Sequence, residues 1–381
     1  MPAPVCKSAS YQFNDNKALE DQQKYLGDAS KADWVYSGQP VNNKGQLWLT
    51  MNEGSVGTLV KSTHFMWYGN AKARFSTAAG AGVVTAFIIL GDAKDEIDFE
   101  MVGVELESAQ TNFYSQGVTN YNNGKNITGL DDIHAQMHDY EIDWKPDQIN
   151  WYIDGNNVRT LNKEDTWNAT ANRYSYPQTP GQVQLSLWPA GLPSNGQGTI
   201  NWGGGLVQWD SPYMVNGYYY AAFDSVDIEC YDPPDGASVQ GDNAYVYTDD
   251  AMVNTSISVT NDKTILGSFL ASGLDPGKGN TTGSAAPSQS SNVNTIPGLS
   301  GAGPGNDGNR GDNGTASGSS TGSDGGSGGS YTATGTGSAA TGFVQGDGGS
   351  NGAGQIGGNS EQVLQGSLLA VVVAIVALCV L

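Results

Sequence analysis

Asp95-Glu96-Ile97-Asp98-Phe99-Glu100 follows the apolar run Val83-Val84-Thr85-Ala86-Phe87-Ile88-Ile89-Leu90. Acids alternate with apolar residues, and a period of two is the period of a β-strand. Glu96, Asp98 and Glu100 therefore share one face, while Ile97 and Phe99 point into the protein. Three acids on one strand face repel each other, which a folding sequence avoids unless the repulsion is used. Glycosidic-bond chemistry uses it, because it needs two carboxyl groups flanking an acetal carbon. Residues four apart on an extended strand lie about 13 Å apart at Cα. Two Glu side chains leaning together across a concave sheet can close that gap to the ~5–5.5 Å between the carboxyls of a retaining glycosidase. Glu96 is then the candidate nucleophile and Glu100 the candidate acid/base. Asp98 would hold the nucleophile by a hydrogen bond and tune both. Crowding of like charges raises at least one pKa, leaving a proton for the leaving group near neutrality. The same acids could also form a solvated edge strand or a set of calcium ligands, so the motif alone does not decide.

Outward from this strand, residues 1–270 are rich in Trp, Tyr, Val and Ile, with Gly, Asn and Asp turn signals between them. That is an all-β composition with enough length for a substantial core, and a short helix is expected at 18–25. Residues 271–366 turn to Gly, Ser, Thr and Asn, as in Gly325-Gly326-Ser327-Gly328-Gly329-Ser330. Such a segment cannot bury enough surface to fold and reads as a flexible, O-glycosylated stalk. Residues 367–381 end in Ala370-Val371-Val372-Val373-Ala374-Ile375-Val376-Ala377-Leu378-Cys379-Val380-Leu381. This run is short for a membrane span and has no basic flank after it. Small residues, a polar spacer and an apolar tail match a glycosylphosphatidylinositol (GPI) attachment signal, with the attachment residue near Asn351-Gly352-Ala353 or Gly357-Gly358-Asn359. A tail-anchored membrane protein is the alternative. Met1-Pro2-Ala3-Pro4-Val5-Cys6 carries no basic region followed by an apolar stretch, so secretion would require a leader upstream of it. Sequons at Asn126, Asn168, Asn254, Asn280 and Asn313 fit a secreted product.

Of three cysteines, Cys379 falls in the tail, which leaves Cys6 and Cys230 as a candidate disulfide tying together the ends of the folded part. Two free thiols are the alternative. Cysteine and histidine spacing offers no metal site, and no cofactor is expected. The net charge of −21, with no basic patch beside the aromatics, argues against nucleic acid and polyanions. Abundant Trp and Tyr suit a neutral polymer whose sugar rings stack on aromatics.

The sequence around the acids resembles glycoside hydrolase family 16, and more narrowly the fungal Crh-type cell-wall transglycosylases, over about residues 33–232. Thr63-His64-Phe65-Met66-Trp67-Tyr68-Gly69 and Ala71-Lys72-Ala73-Arg74 resemble the strand pair before the catalytic strand. Gln110-Thr111-Asn112-Phe113-Tyr114, Met137-His138-Asp139-Tyr140-Glu141-Ile142-Asp143-Trp144 and Ile149-Asn150-Trp151-Tyr152-Ile153-Asp154-Gly155 follow in the family's order. Leu185-Ser186-Leu187-Trp188-Pro189-Ala190-Gly191 and Thr199-Ile200-Asn201-Trp202-Gly203-Gly204-Gly205 complete the pattern. Phe99 stands where Trp is frequent, and Trp202-Gly203-Gly204 where Trp-Ala-Gly-Gly is frequent. The resemblance implies a β-jelly roll, a concanavalin-like sandwich of two antiparallel sheets with a cleft across the concave one. It also implies chitin as donor and chitin or β-glucan as acceptor.

Gln110 and Asn112 share a strand face and are candidate sugar contacts, with Tyr114 and Tyr121 lining the cleft. Trp188, beside the Pro189-Ala190-Gly191 loop, is a candidate stacking platform; Trp202 is balanced between that role and the core. Trp144 and Trp151 read as core or sheet-surface residues. Arg74 could touch substrate or offset the acids, and His138 could bond the acid cluster or sit satisfied in the core. The leading expectation is a monomeric retaining transglycosylase at the outer face of the plasma membrane and cell wall, held there by the GPI anchor. An endo-β-glucanase and a non-catalytic wall-binding protein are the alternatives.

Overall fold

The computed structural model describes residues 1–14, 18–272 and 275–279. The expected stalk apart from its first residues, the anchor signal and the sequons at Asn280 and Asn313 lie outside them.

Two eight-stranded sheets stack on one core. The first runs, in spatial order, Lys125–Thr128, Ser108–Tyr114, Glu96–Val102, Val83–Gly91, Gly181–Pro189, Thr58–Met66, Trp34–Ser37 and Leu19–Asp21. The second runs Asn156–Asn162, Gln148–Ile153, His138–Trp144, Gly69–Ser76, Tyr218–Cys230, Gln46–Asn52 and Gln39–Asn43, with Ala9–Gln12 paired to Tyr218–Cys230. Alternation along each strand supplies the core between them: Ile97, Phe99 and Met101 meet Phe75, Tyr140 and Trp151. The Phe99 and Tyr140 rings pack edge-on at 5.4 Å, a geometry aromatic quadrupoles favour. The result is the all-β sandwich expected of the sequence.

The helix expected at 18–25 does not form. Leu19–Asp21 is instead an edge strand, paired in parallel with Trp34–Tyr36 and ended by a turn in which Lys24 and Tyr25 donate backbone N–H to Asp21 O. An isolated eight-residue helix is marginal in water, and strand pairing supplies the partners it would lack. The α-helix that does form among the described residues is Gln197–Trp202.

A third, four-stranded sheet joins the N-terminal strand to residues 238–260: Ala3–Pro4, Ala244–Tyr247, Ile257–Thr260 and Ser238–Val239. Cys6 and Cys230 form a disulfide, 224 residues apart in sequence. The sheet's connecting loop also reaches the sandwich, where Gln116 Nε2 donates to Ala251 O at 2.8 Å and to Met252 O at 3.0 Å.

Candidate active site

The strand Glu96–Val102 is built as its alternation requires. Ile97, Phe99 and Met101 are buried in the core, and Glu96, Asp98 and Glu100 point out of the opposite face. That outer face is not open surface, since Glu96 is 6% and Asp98 2% exposed. The acids stand in cross-strand rows, Glu96 between Leu90 and Tyr114, Asp98 between Ile88 and Asn112, Glu100 between Ala86 and Gln110. Ala86, Ile88 and Leu90 form a small apolar cluster of their own, separate from the core. The carboxyls thus stand on a dry floor recessed into the sheet.

The electrostatics follow from that floor. Burial pushes Glu96 well above the usual carboxylate range, and the charge of Asp98 pushes it further. Glu100 is raised in the same way by burial, then by Asp98 and Glu96. Asp98 is raised to about 7 by burial, against the pull of Arg159 and the Asn112 backbone amide. Three carboxyls this close, Glu96 and Asp98 buried and Glu100 partly exposed, do not ionise together, so the cluster retains protons near neutrality, which a leaving-group acid needs.

Several supports were not visible in the sequence. Asp95 accepts four hydrogen bonds, from the backbone N–H of Gln116, Gln178 and Thr179 and from Thr179 Oγ1, at 2.8–3.0 Å. It pins the start of the acid strand to two neighbouring loops. Trp151 Nε1 donates to Asp98 O at 3.1 Å from the core side. Beside it lies Arg159, 6% exposed, its guanidinium 4.6 Å from the Trp151 ring and bonded to Thr111 O, Thr111 Oγ1 and Asn123 O. Burial pulls its pKa down to about 10, so it remains cationic behind the acids. No local signal marks Arg159, because it reaches the site from the second sheet. Gln184 could have been found: it shares the outer face of Gly181–Pro189 with Trp188 by the same period of two. It is buried in the Asp98–Ile88 row, its Oε1 lacks a hydrogen-bond partner, and Asp98 Oδ1 likewise lacks one.

The expected binding residues divide. Gln110, Asn112 and Tyr114 lie beside Glu100, Asp98 and Glu96, and Asn112 Nδ2 donates to Tyr114 Oη at 2.8 Å. Trp202 donates from Nε1 to Gln110 Oε1 at 3.0 Å and stacks on Trp188, ring centroids 5.9 Å apart. The two indoles, each partly exposed, make a wall at the Glu100 end. Glycines let that wall close. Gly82 has φ +73°, and a Cβ there would come within 2.9 Å of Val207 N, Gly205 O and Gly191 Cα. Tyr121 lies in the 3-10 turn Tyr121–Asn123, toward the sheet edge.

Arg74 and His138 do not join the site. Both belong to the second sheet, where Arg74 is exposed and ion-paired to Asp139 at 3.0 Å. His138 faces inward, and its Nδ1 lies 2.7 Å from Asp154 Oδ2. The acids face outward from the other sheet, so the core separates them from both residues. Trp144 and Trp151 are fully buried. Among the described sequons, Asn126 and Asn168 are exposed, whereas Asn254 is partly buried.

A two-sheet β-sandwich with carboxylates on the recessed floor of one sheet defines a class, the glycoside-hydrolase-type jelly roll. The model of the glycosyl hydrolases family 16 matches residues 28–204. Crh-like protein 3 of Botryotinia fuckeliana (strain B05.10) is 49% identical over 386 residues, covering 100% of this chain and 86% of the relative. Crh-like protein 2 of Aspergillus fumigatus (strain Af293) is 49% identical over 317 residues, 80% of this chain and 71% of its own length. The solved structure of apo Crh5 transglycosylase superposes with a TM-score of 0.57 at 27% identity, over 68% of this chain and 96% of that one. The chain belongs to glycosyl hydrolase family 16, among its Crh-like proteins.

Proposed function

We propose that the chain is a retaining transglycosylase of cell-wall polysaccharide, taking a chitin-type β-linked donor and chitin or β-glucan as acceptor. The observation that carries this reading is the row Glu96–Asp98–Glu100, recessed, uncapped by cations across the strands, and sharing protons near neutrality. Glu96 attacks the anomeric carbon while Glu100 gives its proton to the leaving oxygen, and a glycosyl-enzyme ester forms. Glu100 then takes the proton of an incoming sugar hydroxyl, whose oxygen displaces Glu96. Asp98 holds Glu96 by a hydrogen bond and tunes the protonation of both. Gln110, Asn112, Tyr114 and Gln184 supply hydrogen bonds, and Trp188 and Trp202 supply the stacking wall. A relative of this fold has been solved as Crh5 transglycosylase in complex with NAG, which supports an N-acetylglucosamine-type ligand. The long Gly/Ser-rich segment and the apolar end of the sequence support a stalk and a GPI anchor, which would hold a monomeric domain, 1–270, at the wall.

The test is incubation of the chain with chito-oligosaccharides and a fluorescent laminari-oligosaccharide, with products read by mass spectrometry. Hybrid or elongated oligomers that vanish in Glu96→Gln are the expected result. Shortened chito-oligomers alone would assign hydrolysis, and retained binding without products would assign a carbohydrate-binding protein.

A further inference from the structure

The sequon Asn126-Ile127-Thr128 lies on Lys125–Thr128, the edge strand of the sheet that carries the acids. Its register is Ala109 opposite Ile127 and Gln110 opposite Asn126. Ile127 packs on the core, so Asn126 and Thr128 face the other way, and both are exposed. Gln110 in turn stands opposite Glu100. Asn126, Gln110 and Glu100 are therefore three consecutive positions of one cross-strand row on the recessed face. Neighbouring strands are about 4.8 Å apart, which puts Asn126 on the order of 10 Å from Glu100 at Cα.

The other described sequons are placed differently. Asn168 lies in the separate hairpin Trp167–Asn168/Arg173–Tyr174, outside both large sheets. Asn254 is partly buried, and Ser256 of its sequon is fully buried and bonded to Asp249. Of the three, only Asn126 is both presented to solvent and aimed along the row of the acids. The Cys6–Cys230 disulfide belongs to an oxidising compartment, the same route on which sequons are modified.

We propose that Asn126 carries an N-linked oligosaccharide that closes the recessed face at its Lys125–Thr128 end, so that a sugar chain bound on that side terminates within the site. In the modification itself, a lipid-pyrophosphate-linked oligosaccharide is the donor. The bond from sugar C1 to Asn126 Nδ2 forms, the C1–O bond to the pyrophosphate breaks, and the amide proton leaves to the released pyrophosphate. The attached glycan is bulky and hydrated, and it stands in the path that a polymer would follow beyond Gln110. It also covers a sheet edge that would otherwise offer unpaired backbone groups. Across the site, Glu100 is continued by Ala86 and Ser186, away from the sequon. The two ends therefore differ: one is stoppered, and the other admits a longer chain. This inference rests on the transglycosylase reading and adds to it a limit on chain length.

The experiment compares three forms of the chain secreted from one eukaryotic host: wild type, Asn126→Gln, and Thr128→Ala, which removes the sequon and keeps the asparagine. Glycopeptide mass spectrometry reads occupancy, and transfer rates are measured on ladders of donor and acceptor chito-oligosaccharides. The expected result is an occupied Asn126 and a wild-type rate that stops rising with the length of one substrate. Both variants should keep rising, several-fold faster on the longest oligomers, with Asn168→Gln matching wild type. An unmodified Asn126, or one length dependence shared by all forms, overturns the proposal. So does a change in Asn126→Gln alone, which would assign the amide itself as a sugar contact. If no form transfers sugar, binding of the ladder to Glu96→Gln with and without Thr128→Ala still reads the length limit, separating failure of the stopper from failure of the enzyme reading.

Discussion

Two strands of this protein carry nearly the same pattern. Glu96-Ile97-Asp98-Phe99-Glu100 lies in the first sheet and Asp139-Tyr140-Glu141-Ile142-Asp143 in the second, each with acids outward and apolar residues inward. Their cross-strand neighbours differ. Opposite Asp139, Glu141 and Asp143 stand Arg74, Lys72 and Asn70. Asp139 pairs with Lys72 at 3.2 Å and Arg74 at 3.0 Å, Asn70 Nδ2 donates to Glu141, and Lys145 and Tyr231 bond Asp143. Opposite the first set stand Leu90, Ile88 and Ala86 on one side and Tyr114, Asn112 and Gln110 on the other. The first set is dry and pushed toward protonation, whereas hydrogen bonds and charges from Arg74 and Lys72 outweigh partial burial and hold Asp139 below its usual range. An alternating acid strand is thus chemistry or scaffolding according to the strands beside it.

The contrast is broken most sharply by removing one acid from each strand. Glu96→Gln should lower transfer by at least about 10³-fold, as loss of a covalent nucleophile does, while leaving oligosaccharide binding intact. Glu141→Gln, the same change on the other strand, should leave the rate unaltered. Steady-state rates on a chito-oligosaccharide donor check both. Equal losses would mean that the second strand also faces substrate.

Stability should respond with the opposite sign. Asp98, raised to about 7, binds a proton in the folded chain that the unfolded chain has already released. Between the unfolded value near 4 and about 7 the folded state holds more protons, so stability falls as pH rises through that window. Asp98→Asn removes this loss. The variant should be slower in transfer yet more stable than wild type at pH 7 by a few kcal/mol, with the gap closing toward pH 4. Chemical denaturation at the two pH values measures it, and a variant less stable at pH 7 would count against the buried, raised carboxyl.

How much of this the sequence disclosed follows from the range of each interaction. Alternation is local, so the acid strand, the sandwich and the burial of Trp144 and Trp151 were legible. Gln110, Asn112 and Tyr114 were legible too, because a hairpin neighbour of the acid strand shares its face. Arg74 and His138 misled because the strand that carries a residue does not reveal which sheet it joins. Leu19–Asp21 misled because its pairing partner, Trp34–Ser37, lies beyond the reach of a local pattern. Arg159 was silent for the same reason, its contacts with Thr111 and Asn123 spanning 48 and 36 residues. Gln184 was a missed opportunity, since the period that placed Trp188 on the outer face places Gln184 there as well.

Arg159 sharpens the comparison from the core side. The first strand has no cation opposite it in register, but this guanidinium behind Trp151 lowers the pKa of Asp98. In Arg159→Met the first proton should leave the cluster at higher pH. The acid limb of the pH–rate profile should then move upward by about one unit, so activity falls roughly tenfold on that side. Mere structural damage would lower the plateau and leave the limbs in place, so the profile distinguishes the two.

The smallest effect belongs to the scaffold strand. Asp139, held below its usual range, contributes stability that is present above the unfolded value near 4 and is lost as pH falls through the folded one. Its partners are largely in water, Lys72 38% and Arg74 44% exposed, so screening leaves little of that contribution. Asp139→Asn should therefore cost under about 1 kcal/mol at pH 7, less still in high salt, and progressively less as pH falls through the folded value, with transfer unchanged. This pH dependence runs opposite to that of Asp98→Asn. If Asp139→Asn instead stabilised the chain at neutral pH, the two acid strands would differ in exposure alone, and the cations across the second sheet would not be what separates them.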